Sequence, residues 1–210
     1  MDQKYLQLNE DKIKPLKPEF FYRDPLDVAY DLIGKLLIKT GQNPLIVRLV
    51  EVEAYRGKKD PASHAYKGVT KRNKIMFQEP GHLYVYFNYG MYWLANVVCH
   101  KEKNEAGAVL LRAAIPLIGI EQMRQARRKH NPKVTIKSLT NGPGKLCQAL
   151  GIDKSHYGEF LAVKKGYENK FLLASDCTKP KDVIQTGRIG IKKASDLPWR
   201  FCVKDCEWVS

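Results

Sequence analysis

Two glutamates and a tyrosine at alternate positions of one segment are the first candidates for chemistry. In Glu51-Val52-Glu53-Ala54-Tyr55, the two-residue period of a strand places Glu51, Glu53 and Tyr55 on one face. Carboxylates two residues apart on a strand are separated by about 7 Å, the separation of the acid pair in an inverting sugar hydrolase. The alternative is that both glutamates are charges on an exposed strand edge.

Aromatic side chains are concentrated in the segments that follow these carboxylates. The next loop supplies His64, and the block 82–98 supplies Tyr84, Tyr86, Tyr89, Tyr92 and Trp93. Tyr89 precedes a glycine at the expected tip of a hairpin, where a solvated polar residue is the ordinary choice. Proteins that unstack DNA insert such side chains between base steps, so Tyr89 is a candidate wedge. The alternative is a ring that folds back onto the core.

The charge of the chain favours an anionic partner. The 210 residues contain 36 Lys plus Arg and 22 Asp plus Glu, a formal net charge of +14. Residues 101–150 contain 10 basic and 3 acidic residues, so 10 − 3 = 7 of these positive charges lie in this segment. Such concentration on one segment indicates a nucleic-acid-binding surface rather than a generally solvated one.

Two helices are expected to carry this positive charge. The spacing of Arg124, Arg127 and Arg128 places all three on one face of a helix over 120–129, where they can follow phosphates. Lys145 lies at the start of a second helix, whose first backbone N–H groups are free to bind an anion. With Arg72, these residues are the candidate contacts to a nucleic-acid backbone.

The remaining elements indicate an α+β fold. Asp24-Pro25 is typical of a helix start and Gly34 of a helix end. Hairpins are expected over 36–55 and 82–98, a strand over 108–114, and short strands over 171–206. Since this order does not alternate βαβ, we expect a single compact domain over residues 19–210, with a curved, largely antiparallel sheet, preceded by a tail over residues 1–18.

The composition excludes several other classes of protein. No segment approaches the ~20 apolar residues of a membrane span, and the polar N-terminus lacks the apolar core of a signal peptide. The five cysteines include no CxxC pair, so neither a metal nor another cofactor is expected. We expect a cytoplasmic monomer, associated with the nucleoid if the protein is bacterial.

Ordered sequence blocks extend from about residue 19 to the end of the chain. The blocks are Glu51-Val52-Glu53-Ala54-Tyr55, Arg72-Asn73, Met76-Phe77, Tyr84-Val85-Tyr86, Tyr89-Gly90-Met91-Tyr92, Leu110-Leu111-Arg112-Ala113, Gly142-Pro143-Gly144-Lys145-Leu146 and Gly187-Arg188-Ile189-Gly190. Together they resemble the alkyladenine (methylpurine, 3-methyladenine) DNA glycosylase family. That resemblance implies a metal-free enzyme acting on double-stranded DNA that contains damaged purines.

The resemblance also implies a role for each matching residue. Glu53 would be the general base that activates water, and Arg112 and the backbone carbonyl of Ile189 would hold that water. The base-pocket residues would be Tyr55, His64, Tyr86 and Asn96, and Tyr89 would fill the gap left in the duplex.

The implied reaction is hydrolysis of the N-glycosidic bond of a flipped purine, which leaves an abasic site. A cationic base such as 3-methyladenine or 7-methylguanine leaves with little acid assistance, so one carboxylate and a positioned water suffice. Hypoxanthine and ethenoadenine are further candidate substrates. No lysine is marked for a lyase step, so the expected enzyme is monofunctional.

Three alternatives stay open at this level. A catalytically silent nucleic-acid-binding module would have no use for Glu53, whereas a sugar hydrolase would use Glu51 and Glu53 together. A helix-hairpin-helix glycosylase would need a Gly-rich hairpin followed by a catalytic Asp. Two departures from the family pattern leave the base preference undetermined: a loop after His64 that is one residue shorter, and the polar Asn88 beside the wedge.

Overall fold

The computed structural model of the protein describes residues 6–102, 105–164 and 166–210. Over these residues, nine strands form one sheet and three α-helices pack around it. The strands are β1 (Lys14–Pro15), β2 (Leu36–Lys39), β3 (Leu45–Tyr55), β4 (Leu83–Asn88), β5 (Tyr92–Val98), β6 (Ala108–Ile118), β7 (Phe171–Ser175), β8 (Val183–Thr186) and β9 (Arg200–Val203). The helices are α1 (Pro25–Leu32), α2 (Ile120–Arg128) and α3 (Pro143–Leu150).

The sheet is antiparallel throughout its assigned pairs and curls into a half-barrel. Its strand order is β1-β7-β2-β3-β6-β5-β4, and β9 pairs with both β3 and β8. The α+β prediction is therefore confirmed, as are the hairpins β2–β3 and β4–β5. Strand β6 is longer than expected and continues past residue 114 to Ile118.

Helix α1 begins and ends where the sequence indicates. The side chain of Asp24 accepts a hydrogen bond from the backbone of Leu26, and Pro25 occupies the first helical position. These residues satisfy a donor that a helix start otherwise leaves free, an effect of about 1 kcal/mol. Gly34 follows the helix at a φ of 86°, a backbone conformation that favours glycine.

The pairing of the central strands, β3 and β6, shifts register at three places, one of which matters for the site. Glu51 pairs with Ala113 and the next residue, Val52, pairs with Leu111, so Arg112 is skipped in the register. Such bulges bend a strand and redirect the side chain at the extra residue. The bulge therefore aims Arg112 differently from a regular strand.

Residues 6–18, which fall within the expected tail, lie against the domain. Strand β1 pairs with β7, Lys14 opposite Ser175, and Ile13 packs on a small apolar cluster at this edge of the sheet. The backbone carbonyl of Gln7 accepts a hydrogen bond from the buried Arg48.

The main apolar core lies between the sheet and helices α1 and α3. Leu146 and Leu150 of α3 are fully buried, and each contributes about 1.5–3 kcal/mol by removal of its side chain from water. Helix α3 packs on β5 and β6, and α2 packs on α3. Among the described residues, no helix is both long and apolar enough to cross a membrane.

Candidate active site

Glu53 is fully buried and its carboxylate is held by three donors. Oε1 accepts a hydrogen bond from the backbone N–H of Ile189 at 2.8 Å and forms an ion pair with Nη1 of Arg112 at 3.2 Å. Oε2 accepts from the hydroxyl of Tyr55 at 2.8 Å. A carboxylate has about four acceptor positions, so Oε2 retains one for a further donor.

Arg112 lies between the two glutamates that the strand pattern places on one face. Its Nε donates to Oε1 of Glu51 at 2.8 Å, while Nη1 contacts Glu53. The bulge in β6 directs the guanidinium into this position. One guanidinium thus joins the two buried carboxylates, and Arg200 brings a second positive charge to Glu51.

Glu51 is the second carboxylate that contacts Arg112. It is fully buried and accepts hydrogen bonds from Arg112, from Arg200 at 2.8 Å, and from the backbone N–H and hydroxyl of Ser210 at 2.7 Å and 2.9 Å. Three of these donors converge on Oε1, and Glu51 is not among the residues that line the cavity described below. The sugar-hydrolase alternative, which needs two available carboxylates, is therefore disfavoured.

A cavity of about 360 Å³ lies next to the groups that hold this carboxylate, although Glu53 itself is not among its lining residues. Three of the residues that line it, Tyr55, Arg112 and Ile189, are the donors to Glu53. Asn96 also lines it, and its Nδ2 donates to the backbone carbonyl of Tyr84 at 3.2 Å. The structure thus gathers the predicted catalytic and base-pocket residues around one cavity. The remaining lining residues are Ala62, His64, Met76, Tyr84, Tyr86, Asn88, Tyr89, Leu94, Ala108, Leu110, Pro143, Gly190 and Ile191.

Aromatic rings form one wall of the cavity. The rings of His64 and Tyr86 meet edge to face with centroids 4.6 Å apart, and Nδ1 of His64 lies 2.9 Å from the hydroxyl of Tyr84. Arg72 lies over the Tyr86 ring, 4.7 Å from its centroid, and its Nη2 is 3.2 Å from Nε2 of His64. Burial against these rings, and then the charge of Arg72, lower the pKa of His64 to about 4. The imidazole is therefore neutral at pH 7 and is not a proton donor of imidazolium type.

The phenol groups around the cavity also stay protonated at neutral pH. Burial, and then the charge and hydrogen bond of Glu53, raise the pKa of Tyr55 far above its usual value. Burial raises the pKa of Tyr86 and of Tyr84 as well. This wall of the cavity is consequently polar at its edges, but the groups of His64, Tyr55, Tyr84 and Tyr86 carry no charge near pH 7.

Tyr89 lies at the tip of the β4–β5 hairpin and is 81% exposed. Its φ is 49° and that of Gly90 is 68°, with the N–H of Met91 donating to the carbonyl of Asn88 at 3.0 Å. A bulky residue at positive φ is uncommon and costs roughly 1–2 kcal/mol. The ring does not fold back onto the core, so the structural alternative for Tyr89 does not hold.

The N-terminus of α3 lies beside the cavity, which Pro143 lines. No side chain caps this helix, and Nζ of Lys145 donates to Oδ1 of Asn141 at 2.9 Å. A Cβ on Gly144 would lie 2.7 Å from the ring of Tyr92, which explains the glycine at this position by packing. Burial, and then Arg127, lower the pKa of Lys145.

The three arginines of α2 do not share one accessible face. Arg124 and Arg128 reach the surface, where both contact Glu121, at 3.3 Å and 3.9 Å. Arg127 is only 4% exposed and its Nη1 donates to the side-chain oxygen of Gln148. The expectation of one shared surface face is therefore wrong for Arg127, because the helix face that carries it packs on α3.

One group near the site was not assigned a role from the sequence. Arg188 and Asp60 form a fully buried bidentate ion pair, with contacts of 2.5 Å and 2.9 Å. The guanidinium lies 4.7 Å from the centroid of the Tyr55 ring. Arg188 belongs to one of the sequence blocks described above. Its partner Asp60 is 128 residues away, and no local sequence pattern identifies that pairing.

Over the described ranges, no group of three or more His, Cys, Asp or Glu side chains is placed to hold a metal ion. The five cysteines are free thiols; Cys177 is exposed and the other four are buried.

Comparison with known proteins gives a consistent result. Residues 19–207 match the family described as methylpurine-DNA glycosylase. A protein of Desulfitobacterium hafniense is 43% identical over 207 residues, covering 94% of this chain and 99% of the relative. Proteins of Burkholderia lata and Rhodopseudomonas palustris are each 44% identical, covering 91% and 93% of this chain and 88% and 90% of their own lengths. All three relatives carry the name "Putative 3-methyladenine DNA glycosylase".

Proposed function

Since the chain belongs to the methylpurine-DNA glycosylase family and is a DNA N-glycosylase, we propose that it releases alkylated purines from double-stranded DNA with Glu53 as the general base. The observation that carries this proposal is the buried Glu53 carboxylate behind an aromatic cavity, held by three groups that line that cavity. A silent DNA-binding module would have no reason to keep a fully buried carboxylate at this place, because burying such a group is costly.

The proposed reaction begins with a flipped purine in the cavity. Tyr55 stacks on one face of the base, and His64 and Tyr86 enclose the other. Water binds the open acceptor position of Glu53 Oε2 and loses its proton to the carboxylate as it attacks the sugar carbon. The bond from that carbon to the purine nitrogen breaks, and the purine leaves with the bonding electron pair. Arg112 orients Glu53, and Ile189 supplies its N–H to the carboxylate and, we propose, its carbonyl to the water. The negative charge of Glu53 also faces the positive charge that develops on the sugar.

The leaving group defines the proposed substrate class. A neutral purine must be protonated to leave, but His64, with its pKa of about 4, is unprotonated at neutral pH. Tyr84 and Tyr86 are weak acids whose pKa values are raised further by burial. We therefore propose that cationic lesions such as 3-methyladenine and 7-methylguanine are processed fastest, and hypoxanthine and ethenoadenine more slowly.

The remaining parts of the proposal concern the DNA. Tyr89 inserts into the duplex, Asn96 rejects the amino group of normal guanine, and Arg72, Arg124, Arg128 and Lys145 contact phosphates. The exposure of Tyr89 and the surface positions of Arg124 and Arg128 support these assignments. We further propose a cytoplasmic monomer that needs no cofactor.

The decisive experiment replaces Glu53 with Gln, which keeps shape and most hydrogen bonding but cannot take a proton. Single-turnover release of 3-methyladenine should fall by at least ~10² while binding to lesion-containing duplex is retained. Glu207→Gln, at a surface glutamate paired with Lys137, is the control for loss of a carboxylate and should behave as wild type. Normal release by Glu53→Gln would remove Glu53 from the mechanism.

The substrate proposal is tested separately with duplexes that each contain one defined lesion. Release of 7-methylguanine should exceed release of hypoxanthine at neutral pH, and lowering the pH should raise the hypoxanthine rate relative to the 7-methylguanine rate. A hypoxanthine rate equal to that of the cationic lesions at pH 7 would show that the site contains an acid.

A further inference from the structure

We infer that the buried Arg188–Asp60 ion pair is a positioning element for the reaction, which holds Tyr55 and Ile189 against the Glu53 carboxylate. This inference rests on the proposed role of Glu53. In this role Arg188 and Asp60 do not contact the DNA, and their contribution goes beyond stabilising the fold.

Arg188 is next to two of the three residues that hold Glu53, one at each carboxylate oxygen. Its guanidinium is 4.7 Å from the centroid of the Tyr55 ring, and the Tyr55 hydroxyl donates to Oε2. On its other side, Arg188 directly precedes Ile189 in the chain, and the N–H of that peptide bond donates to Oε1. A displacement of one guanidinium would therefore loosen both hydrogen bonds at once.

The Arg188 guanidinium also binds two backbone carbonyls near the site. Nη1 of Arg188 donates to the carbonyl of Ala54, the residue between Glu53 and Tyr55, at 3.0 Å. Nη2 donates to the carbonyl of Ala194 at 3.3 Å, which fixes the loop after β8. Trp199 covers the guanidinium from a further side, with its ring centroid 5.0 Å away.

Asp60 extends this unit to the loop that carries His64. Its carboxylate accepts both Nη groups of Arg188 and also the backbone N–H groups of Ala62 and Arg56, at 3.0 Å and 3.3 Å. Both members of the pair have fully buried side chains. One ion pair thus joins the end of β3, the loop leading to His64 and the loop containing Ile189. The relative positions of these three segments determine where the base and the attacking water are held.

A buried ion pair can also be a purely structural feature, and the chain contains a matched example. Arg48 and Asp176 form a second fully buried bidentate pair, at 2.9 Å and 2.8 Å, and Arg48 also donates to two backbone carbonyls. Arg48 is on the same strand, β3, but Asp176, Gly34 and Gln7, which it contacts, are not among the groups that hold Glu53. Equivalent substitutions in the two pairs therefore separate loss of stability from loss of positioning.

The test compares the variants Arg188→Lys and Asp60→Asn with the control variants Arg48→Lys and Asp176→Asn. For each variant, the concentration of active enzyme is determined first, and the rate of base release is then measured with enzyme in saturating excess over DNA. Lysine keeps the charge but lacks the planar fork that holds a carboxylate and stacks on a ring. All four variants should unfold at lower temperature than wild type. The base-release rate per active molecule should fall about 10-fold to 100-fold only for the Arg188 and Asp60 variants, since a misplacement of about 1 Å has that effect on catalysis.

A spectroscopic measurement distinguishes positioning from a general loss of structure. The amide resonance of Ile189 in ¹⁵N-labelled protein should move in Arg188→Lys toward its position in Glu53→Gln, and should stay in place in Arg48→Lys. If Arg188→Lys does not fold, hydrogen exchange in the wild-type protein serves instead: the Ile189 amide should be protected relative to its neighbour Gly190. Equal exchange of these two amides would overturn the inference.

The outcomes also separate this inference from the proposed function. Wild-type release by Arg188→Lys, or equal losses in both pairs, together with an inactive Glu53→Gln, would refute the positioning role and leave the proposed function standing. Wild-type release by Glu53→Gln would refute both.

Discussion

Replacement of Tyr89 should have opposite effects on the stability of the protein and on its rate of base release. Tyr89 adopts a φ of 49° and is 81% exposed, so it contributes little burial while occupying a backbone region that disfavours its side chain. Asn and Gly tolerate this region, and relief of about 1 kcal/mol corresponds to about 2–4 °C in a chain of this size. Tyr89→Asn and Tyr89→Gly should therefore unfold at the same temperature as wild type or higher.

The same variants should be poor at base release. An aromatic ring stacked on a base is worth about 1–3 kcal/mol, which converts to a population of flipped base lower by about 5-fold to 150-fold when the ring is removed. The loss should be largest on a fully paired duplex and smaller on a mismatched one, because less stacking is lost there on extrusion. Tyr89→Phe should remain close to wild type, since the ring rather than the hydroxyl fills the gap.

Two assays give the answer: thermal unfolding of the free protein, and single-turnover release from paired and mismatched duplexes. A lower unfolding temperature for both Tyr89→Asn and Tyr89→Gly would show that the tyrosine supports the hairpin. Equal slowing of Tyr89→Asn on the two duplexes, with the fold intact, would place the wedge at another residue.

Three further predictions concern the DNA-binding surface, the packing of the site and its pH dependence. Residues 101–150 carry ten basic residues against three acidic ones. If six to eight phosphates are neutralised, affinity for undamaged duplex should fall by about 10³ or more between 50 and 200 mM salt. The double variant Arg124→Glu, Arg128→Glu should show a smaller dependence of affinity on salt and an unchanged lesion preference, because phosphate contacts carry no base information. A flat salt response would contradict the basic-surface argument. Gly144→Ala should lower the free energy of unfolding by about 1–3 kcal/mol in urea titrations, because the new Cβ would lie 2.7 Å from the ring of Tyr92. Unchanged stability would show that the β4–β5 hairpin moves away from α3 without cost. Between pH 6.5 and about 4 the unfolded state protonates His64 while the folded state does not, so the free energy of unfolding should decline as the pH falls through this window, and His64→Asn should flatten that part of the curve. An unchanged slope in that variant would assign the decline to other groups.

Local patterns in the sequence determined most elements of the fold and several of the site residues. The alternation of Glu51, Glu53 and Tyr55 placed them on one face, because the side chains of a strand alternate regardless of their partners. Asp24-Pro25 marked the start of α1, since capping depends on neighbouring residues only. The position of Tyr89 beside a glycine predicted a hairpin tip for the same reason, while the exposure of its ring was decided by the tertiary structure.

Only the tertiary structure decided which of these side chains become partners. The skipped register at Arg112 places one guanidinium between two glutamates, and a bulge depends on how two strands distant in sequence are paired. The burial of Arg127 follows from the packing of α2 on α3, which the helical period of α2 does not specify. The pairing of Arg188 with Asp60, 128 residues earlier, likewise has no local signature, because a buried ion pair is selected by the whole fold that removes both charges from water.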